Sequence, residues 1–348
     1  MNSVKSYAAK SADKPLEPFH LDRREPLADD IEIKILYCGV CHSDIHTARN
    51  EWGGTMYPIV PGHEIVGKVT RIGADVSRFK VGDTVGVGCF VDSCGHCGNC
   101  KEHNEQYCEN GVSQTYNSLL QDKKTITYGG YSTHIVVTQK FVLSISDKLP
   151  LEKVAPLLCA GITTYSPLKY WNVKAGDKVA VVGLGGLGHM AVKIAASMGA
   201  DVTVLSRSKD KEKDAAKLGA HHFELTTDPD NMKRLGSSFN FIINTVSAQH
   251  DYNQYLALLK TNGVMVLLGA PPKPSEVSAF QLIGGRRSLV GSLVGGIKET
   301  QEMLDYCAEH NITSDIELIN IDQINEAYER TLAGDVHYRF VIDMASLN

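Results

Sequence analysis

Four cysteines lie between positions 94 and 108 in the spacing Cys94-x2-Cys97-x2-Cys100-x7-Cys108, on a short Gly-, Ser- and Asn-containing stretch. Four thiolates so spaced can converge on one tetrahedral zinc ion and close it off from ligands, which is a structural site. An iron–sulfur cluster is the rival centre, since thiolates hold clusters too, but nothing else in the chain suggests a redox relay. A second set is dispersed: Cys41-His42-Ser43-Asp44, then Gly62-His63-Glu64, then Cys159. Each member alone has a bland reading, because a buried cysteine is usually a small hydrophobe. Taken together, two thiolates and one imidazole with a fourth position open make a catalytic zinc arrangement.

A third pattern, Gly183-Leu-Gly185-Gly186-Leu187-Gly188, follows the apolar run Lys178 to Val182 and opens a helical stretch. Its glycines permit a tight turn, and the helix N-terminus offers free N–H groups and a positive dipole end to a pyrophosphate. In an NAD-binding unit, an acidic residue about 20 positions on holds the ribose 2′-hydroxyl. Here the second strand ends Leu205-Ser206-Arg207-Ser208-Lys209-Asp210-Lys211, with no carboxylate at 206. Ser206 and Ser208 can donate to a 2′-phosphate while Arg207 and Lys211 neutralise it, so NADP(H) is the expected cofactor. The competing reading is a solvated, charged helix start, which Asp210 and Glu212 keep open.

These residues need elements to position them. The first half reads as β-rich, with strands over Glu32 to Tyr37, Glu64 to Ile72, Thr84 to Gly88 and Ser132 to Val137. From about Ala160 the pattern alternates: strand Lys178 to Val182, helix Gly188 to Met198, strand Asp201 to Ser206, helix Asp210 to Leu218. Phe239 to Asn244, Val264 to Gly269 and Ser288 to Leu293 extend that parallel sheet, and a helix near Met303 to Glu309 and a strand near Arg339 to Asp343 close the chain. The expected class is α/β, a β-rich barrel-like domain plus a doubly wound parallel sheet. A chain of 348 residues, 43% hydrophobic, can bury both cores. A net charge of −5, with scattered lysine and arginine, excludes a polyanion-binding stripe, so no nucleic-acid partner is expected. Without a basic-then-apolar leader or an apolar run near ~20 residues, a cytoplasmic protein with no membrane partner is expected. In that reducing compartment the nine cysteines favour metal over disulfides.

The chain resembles, over essentially its whole length, the zinc-dependent medium-chain dehydrogenase/reductase family, and within it the cinnamyl alcohol dehydrogenase branch. The resemblance is carried by Cys41-His42-Ser43-Asp44-Ile45-His46, Pro61-Gly62-His63-Glu64, the four-cysteine lobe, Cys159-Ala-Gly-Ile-Thr163, the glycine fingerprint, and Gly291-Ser292 through Lys298-Glu-Thr-Gln-Glu-Met303. It implies a groES-like zinc catalytic domain of residues 1–160 and 296–348, a Rossmann NADP-binding domain of residues 161–295, an active site in the cleft, and a homodimer. It implies Cys41, His63 and Cys159 as ligands of a catalytic zinc, Glu64 as an exchangeable ligand, and two zinc ions per chain. Asp44 would orient His63, as partners of metal-bound histidines do. Ser43 and His46 stand where the family places a hydroxyl-to-ribose-to-imidazole proton relay. Their other readings are a helix cap and a surface histidine. Thr163 would pack on the nicotinamide, with Arg339 and His42 near the pyrophosphate, although Arg339 reads equally as a strand-edge charge. Trp52, Tyr57, Cys89, Leu119, Leu293 and Val294 would wall the substrate pocket, with Ile297 at its edge.

The implied reaction is hydride transfer between NADPH and the carbonyl of a small-molecule aldehyde whose oxygen the zinc polarises, reversible to oxidation of a primary alcohol. Aromatic and aliphatic walls favour bulky apolar aldehydes over polyols. Three alternatives stand beside it. One is an NAD-dependent zinc alcohol dehydrogenase for aliphatic alcohols. The others are a zinc-free reductase of the same fold and a non-catalytic cofactor-binding protein. The intact Cys41, His63, Glu64 and Cys159 argue against these last two.

Overall fold

The segment Asp30–Gly39, buried along most of its length, is the strand on which the first half of the chain is built. In the computed structural model, which describes residues 2–347, it pairs antiparallel with Ile65–Ile72, with His134–Thr138 and with Arg339–Asp343. It is central to a seven-stranded sheet whose other members are Ile316–Asn320, Thr84–Val87 and Leu143–Ser144. The chain divides into two compact units, and this one gathers Met1–Ile162 and Gly295–Asn348. Its β-branched strands supply the buried Ile31, Ile33, Ile65, Val85, Ile135 and Val341. A hairpin of Asn2–Ala8 and Glu17–Arg23, which the sequence pattern did not announce, precedes the sheet. The tail carries two helices rather than one, Ile297–His310 and Ile324–Ala333.

The second unit, Thr163–Val294, holds six parallel strands. In spatial order they are His222–Leu225, Asp201–Ser206, Lys178–Val182, Phe239–Asn244, Leu259–Leu267 and Ser288–Gly291. Numbered within the unit this is 3-2-1-4-5-6, the order of a doubly wound dinucleotide-binding sheet with its switch point beside the first strand. Lys178–Val182 and Phe239–Asn244 are mostly apolar and buried, each lying between two parallel neighbours in the sheet. The helix Gly188–Ser197 buries Met190, Ala191, Val192, Ile194 and Ala195. Among the described residues no helix is long and apolar enough to cross a membrane.

Candidate active site

The short helix His42–Ala48 begins at Cys41, and its third residue, Asp44, is wholly buried. Asp44 Oδ2 accepts the Cys41 N–H at 3.0 Å and the Tyr131 hydroxyl at 3.2 Å, while Oδ1 accepts the Gly62 N–H at 3.1 Å and His63 Nδ1 at 3.0 Å. The contact with Asp44 places a proton on His63 Nδ1, so Nε2 is the nitrogen left to bind a metal, which would displace any second proton from it. Burial alone would push His63 down, but the Asp44 charge outweighs it and holds the imidazole well above its usual value.

Ligand atoms of Cys41, His63, Glu64 and Cys159 all lie within 4.8 Å of one another, and all four residues are buried. Cys41 Sγ and Cys159 Sγ are 4.0 Å apart. Two sulfurs on a tetrahedral zinc with bonds of about 2.3 Å would stand about 3.8 Å apart. The Cys159 contact holds the Cys41 thiol well below its ordinary range, and the same contact pushes Cys159 well above it. Both sulfurs therefore become thiolates only beside a cation. Glu64 Oε1 accepts from Arg339 Nη2, whereas Glu64 Oε2 is buried without a partner among the described residues. Burial pushes the Glu64 carboxyl up to about 7 against the pull of Arg339. A Cβ on Gly39 would stand 1.9 Å from Glu64 Oε2, so only glycine leaves room for this carboxylate. Two thiols, an imidazole nitrogen and an orphaned carboxylate oxygen are a donor set that fits zinc.

In the lobe, the sulfurs of Cys94, Cys97, Cys100 and Cys108 also lie within 4.8 Å of one another, with Cys94 and Cys100 3.9 Å apart. Backbone N–H groups of His96 and Cys97 hold Cys94 down at about 6, and burial raises Cys100 to about 12. This set of four sulfurs also fits zinc.

Ser43 Oγ lies 3.7 Å from Cys41 Sγ. It does not cap its helix, because the cap position is Cys41 and Asp44 closes the capping box. His46 Nδ1 stands 2.5 Å from Glu51 Oε2, and its ring centroid is 5.0 Å from that of Trp52, so it is not a lone surface histidine. Tyr57 donates to the Ala48 carbonyl at 2.7 Å, Cys89 lies 3.8 Å from the Leu158 carbonyl, and Leu119 bridges to Ile126. Trp52 is 59% exposed. Burial lowers His42. Arg339 is 5% exposed and holds Glu64, which removes its strand-edge reading.

In the second unit, Gly183 turns at φ +87°, and its N–H donates to the Leu205 carbonyl at 2.9 Å. A Cβ on Gly188 would strike the Gly183 carbonyl oxygen at 2.1 Å, whereas one on Gly185 would meet nothing within 4 Å. The turn through Gly186 and Leu187 thus presents bare backbone at the start of Gly188–Ser197, a cradle fitting a pyrophosphate. Ser206 ends its strand nearly buried, its hydroxyl accepting the Ser208 N–H at 3.2 Å. Arg207 and Ser208 are exposed, and Lys211 closes the turn Lys209–Lys211. Thr163, buried, opens this unit; Leu293, half exposed, and Val294, at φ +49°, close it.

Sequence reasoning missed the Glu64–Arg339 pair, the Tyr131–Asp44 bond and the need for Gly39, all of them contacts between distant segments. Glu51, five positions after His46, left the one local signal.

Residues 27–147 match the family "Alcohol dehydrogenase GroES-like domain", and residues 186–309 match "Zinc-binding dehydrogenase". NADP-dependent alcohol dehydrogenase C 1 of Mycolicibacterium smegmatis is 57% identical over 348 residues, covering 100% of this chain and 99% of its own. A cinnamyl alcohol dehydrogenase structure from Sorghum bicolor superimposes with a TM-score of 0.96 at 46% identity, over 99% of this chain and 98% of that one. The structure of CAD from Helicobacter pylori complexed with NADP(H) gives a TM-score of 0.93 at 47% identity, with the same coverage.

Proposed function

The chain belongs to the zinc-binding alcohol dehydrogenases, oxidoreductases that use zinc and NADP(H), and on that premise we propose that it reduces bulky apolar aldehydes at the Cys41–His63–Cys159 centre. The observation that carries this reading is the buried convergence of those three donors and Glu64, with Asp44 behind His63. Zinc held there supplies Lewis acidity to the carbonyl oxygen, and NADPH supplies the hydride. Asp44 fixes the His63 ring so that Nε2 faces the metal position. Glu64, anchored by Arg339, keeps Oε2 available as the exchangeable donor. The Ser43 hydroxyl gives a proton to the substrate oxygen, and His46 restores it from solvent by way of the cofactor ribose. Glu51 keeps the His46 ring in place. Trp52, Tyr57, Cys89 and Leu119 supply the aromatic and aliphatic wall on the unit that carries the metal centre.

The four-cysteine lobe takes a second, structural zinc, giving two per chain. Gly183 to Gly188 cradle the pyrophosphate, Thr163 packs on the nicotinamide, and Ser206, Arg207, Ser208 and Lys211 hold the 2′-phosphate. A cytoplasmic location goes with this reading, since the clustered cysteines are placed to hold metal rather than to pair in disulfides. Two features support a homodimer. The edge strand Ser288–Gly291 ends its sheet, and Phe280 and Ile283 nearby are 83% and 72% exposed.

The test is consumption of NADPH and NADH, in parallel, by zinc-replete protein with an aromatic aldehyde. NADPH should be used well ahead of NADH. Turnover with neither cofactor would overturn the aldehyde reading. Ser206→Asp should lower kcat/KM for NADPH by about 100-fold and change that for NADH far less, through repulsion of the 2′-phosphate. Equal losses with both would sink the cofactor assignment.

A further inference from the structure

The proposed reaction makes no use of Tyr131, which lies beside the metal centre. Tyr131 is wholly buried, and its hydroxyl donates to Asp44 Oδ2 at 3.2 Å. Each Asp44 oxygen receives two of the hydrogen bonds described above. Two come from backbone N–H groups, one from His63 itself and one from Tyr131, with the Tyr116 side chain also close to this carboxylate. A phenyl ring would fill the same space, hence packing alone does not call for the hydroxyl.

Tyr131 sits on a loop laid directly against the segment that presents His63. The Gly129 N–H donates to the Val60 carbonyl at 2.7 Å, Gly130 to Gly62 at 2.8 Å, and Tyr131 to Pro61 at 3.0 Å. A Cβ on Gly129 would stand 2.3 Å from the Pro61 oxygen, and one on Gly62 would stand 2.7 Å from Tyr131 Cδ1. Both glycines thus permit the two segments to touch along their backbones. Behind the loop, the Arg23 guanidinium is buried and spends its N–H groups on it. Arg23 donates to the carbonyls of Tyr128 at 2.7 Å, Gly129 at 2.8 Å and His134 at 3.0 Å, and to Ser132 Oγ at 2.9 Å. Five donors in a rigid planar fork fix several backbone carbonyls at once, which a lysine cannot do.

We propose that Tyr131 is a positioning residue of the metal centre. Held in place by Arg23, it orients the Asp44 carboxylate and through it the His63 ligand. The inference rests on the assignment of Cys41, His63 and Cys159 to a bound metal. Its consequence is that the strength and geometry of metal binding depend on a hydroxyl that touches neither metal nor substrate.

The experiment uses full-length protein loaded with cobalt in place of zinc, wild type beside Tyr131→Phe. It follows the visible spectrum of each site and the rate at which each gives its metal to a chelator. Tyr131→Phe should release the catalytic metal about tenfold faster, the low end of what loss of such supporting bonds costs. Its ligand-field bands should shift, while release from the four-cysteine lobe stays at the wild-type rate. In an Asp44→Asn background, adding Tyr131→Phe should change neither rate nor spectrum further, because the route runs through that carboxylate. A wild-type chain that holds only the lobe metal overturns the metal-centre reading and this inference with it. A wild-type chain with two metals whose Tyr131→Phe variant keeps the catalytic release rate and spectrum overturns this inference alone. Faster release from both sites with an unchanged spectrum assigns Tyr131 to general packing, and overturns it too.

Discussion

The two thiol centres share a unit and a ligand chemistry, yet they are built in opposite ways. The lobe draws four like donors from one short stretch, Cys94 to Cys108, and the spacing of that stretch does nearly all the work. The other centre draws Cys41, His63, Glu64 and Cys159 from separate segments, mixes sulfur, nitrogen and oxygen, and surrounds them with Asp44 and Arg339. A closed set of four thiolates satisfies a metal and leaves nothing for a substrate, whereas three strong donors leave a fourth position open. The polar surroundings follow from the same difference. Where a position must open and close, the remaining ligands need to be held by something other than the metal.

That contrast can be broken by experiment. The largest effect should come from Cys159→Ala, which should cut turnover by roughly 10³-fold or more through loss of the charge stabilisation a metal supplies. Metal analysis should then find one zinc per chain, still in the lobe. Retained turnover would mean that the two roles have been assigned the wrong way round. In the lobe, Cys97→Ala should leave turnover at low temperature within a few-fold of wild type but cost roughly 4 kcal/mol or more of stability, read as a fall in thermal midpoint. Asp44→Asn should weaken metal binding about 10- to 100-fold at the dispersed site and leave the lobe untouched, measured by competition with a chelator.

The smallest effect concerns protons. With Cys94 held near 6, its thiol is already ionised at neutral pH, while Cys100, near 12, is not. Zinc uptake by the metal-free lobe should therefore displace a proton from Cys100 throughout the working range. Below pH 6 it should displace about one more, from Cys94. Calorimetric titration in buffers of different ionisation enthalpy counts those protons. A count independent of pH across 6 would contradict the distinction between the two thiols.

The same contrast governs what the sequence discloses. The strands Lys178–Val182, Asp201–Ser206, Phe239–Asn244 and Arg339–Asp343 are read with the bounds they adopt, because each is a short apolar run between breakers. The lobe and the glycine turn are legible for a similar reason, since their chemistry lies within a few residues. His222–Leu225 escapes because a partly exposed edge strand carries no apolar run. The Glu64–Arg339 pair spans 275 positions and the Tyr131–Asp44 bond 87, so no local pattern could announce either. Gly39 reads as an ordinary strand glycine until the carboxylate beside it is seen.

The strand that delivers Arg339 comes near the very end of the chain and pairs with Tyr37–Gly39 near its beginning. During synthesis the sheet of Thr163–Val294 can close from one continuous stretch, while the edge of Asp30–Gly39 waits for its last neighbour. At about 5–20 residues per second that wait lasts roughly tens of seconds, with a buried-to-be edge open to wrong partners. Every donor of the dispersed centre is already out of the ribosome by then, yet Glu64 still lacks its counter-charge. A message cut short before residue 339 would give a chain with every metal ligand in its sequence and a carboxylate that burial leaves uncompensated.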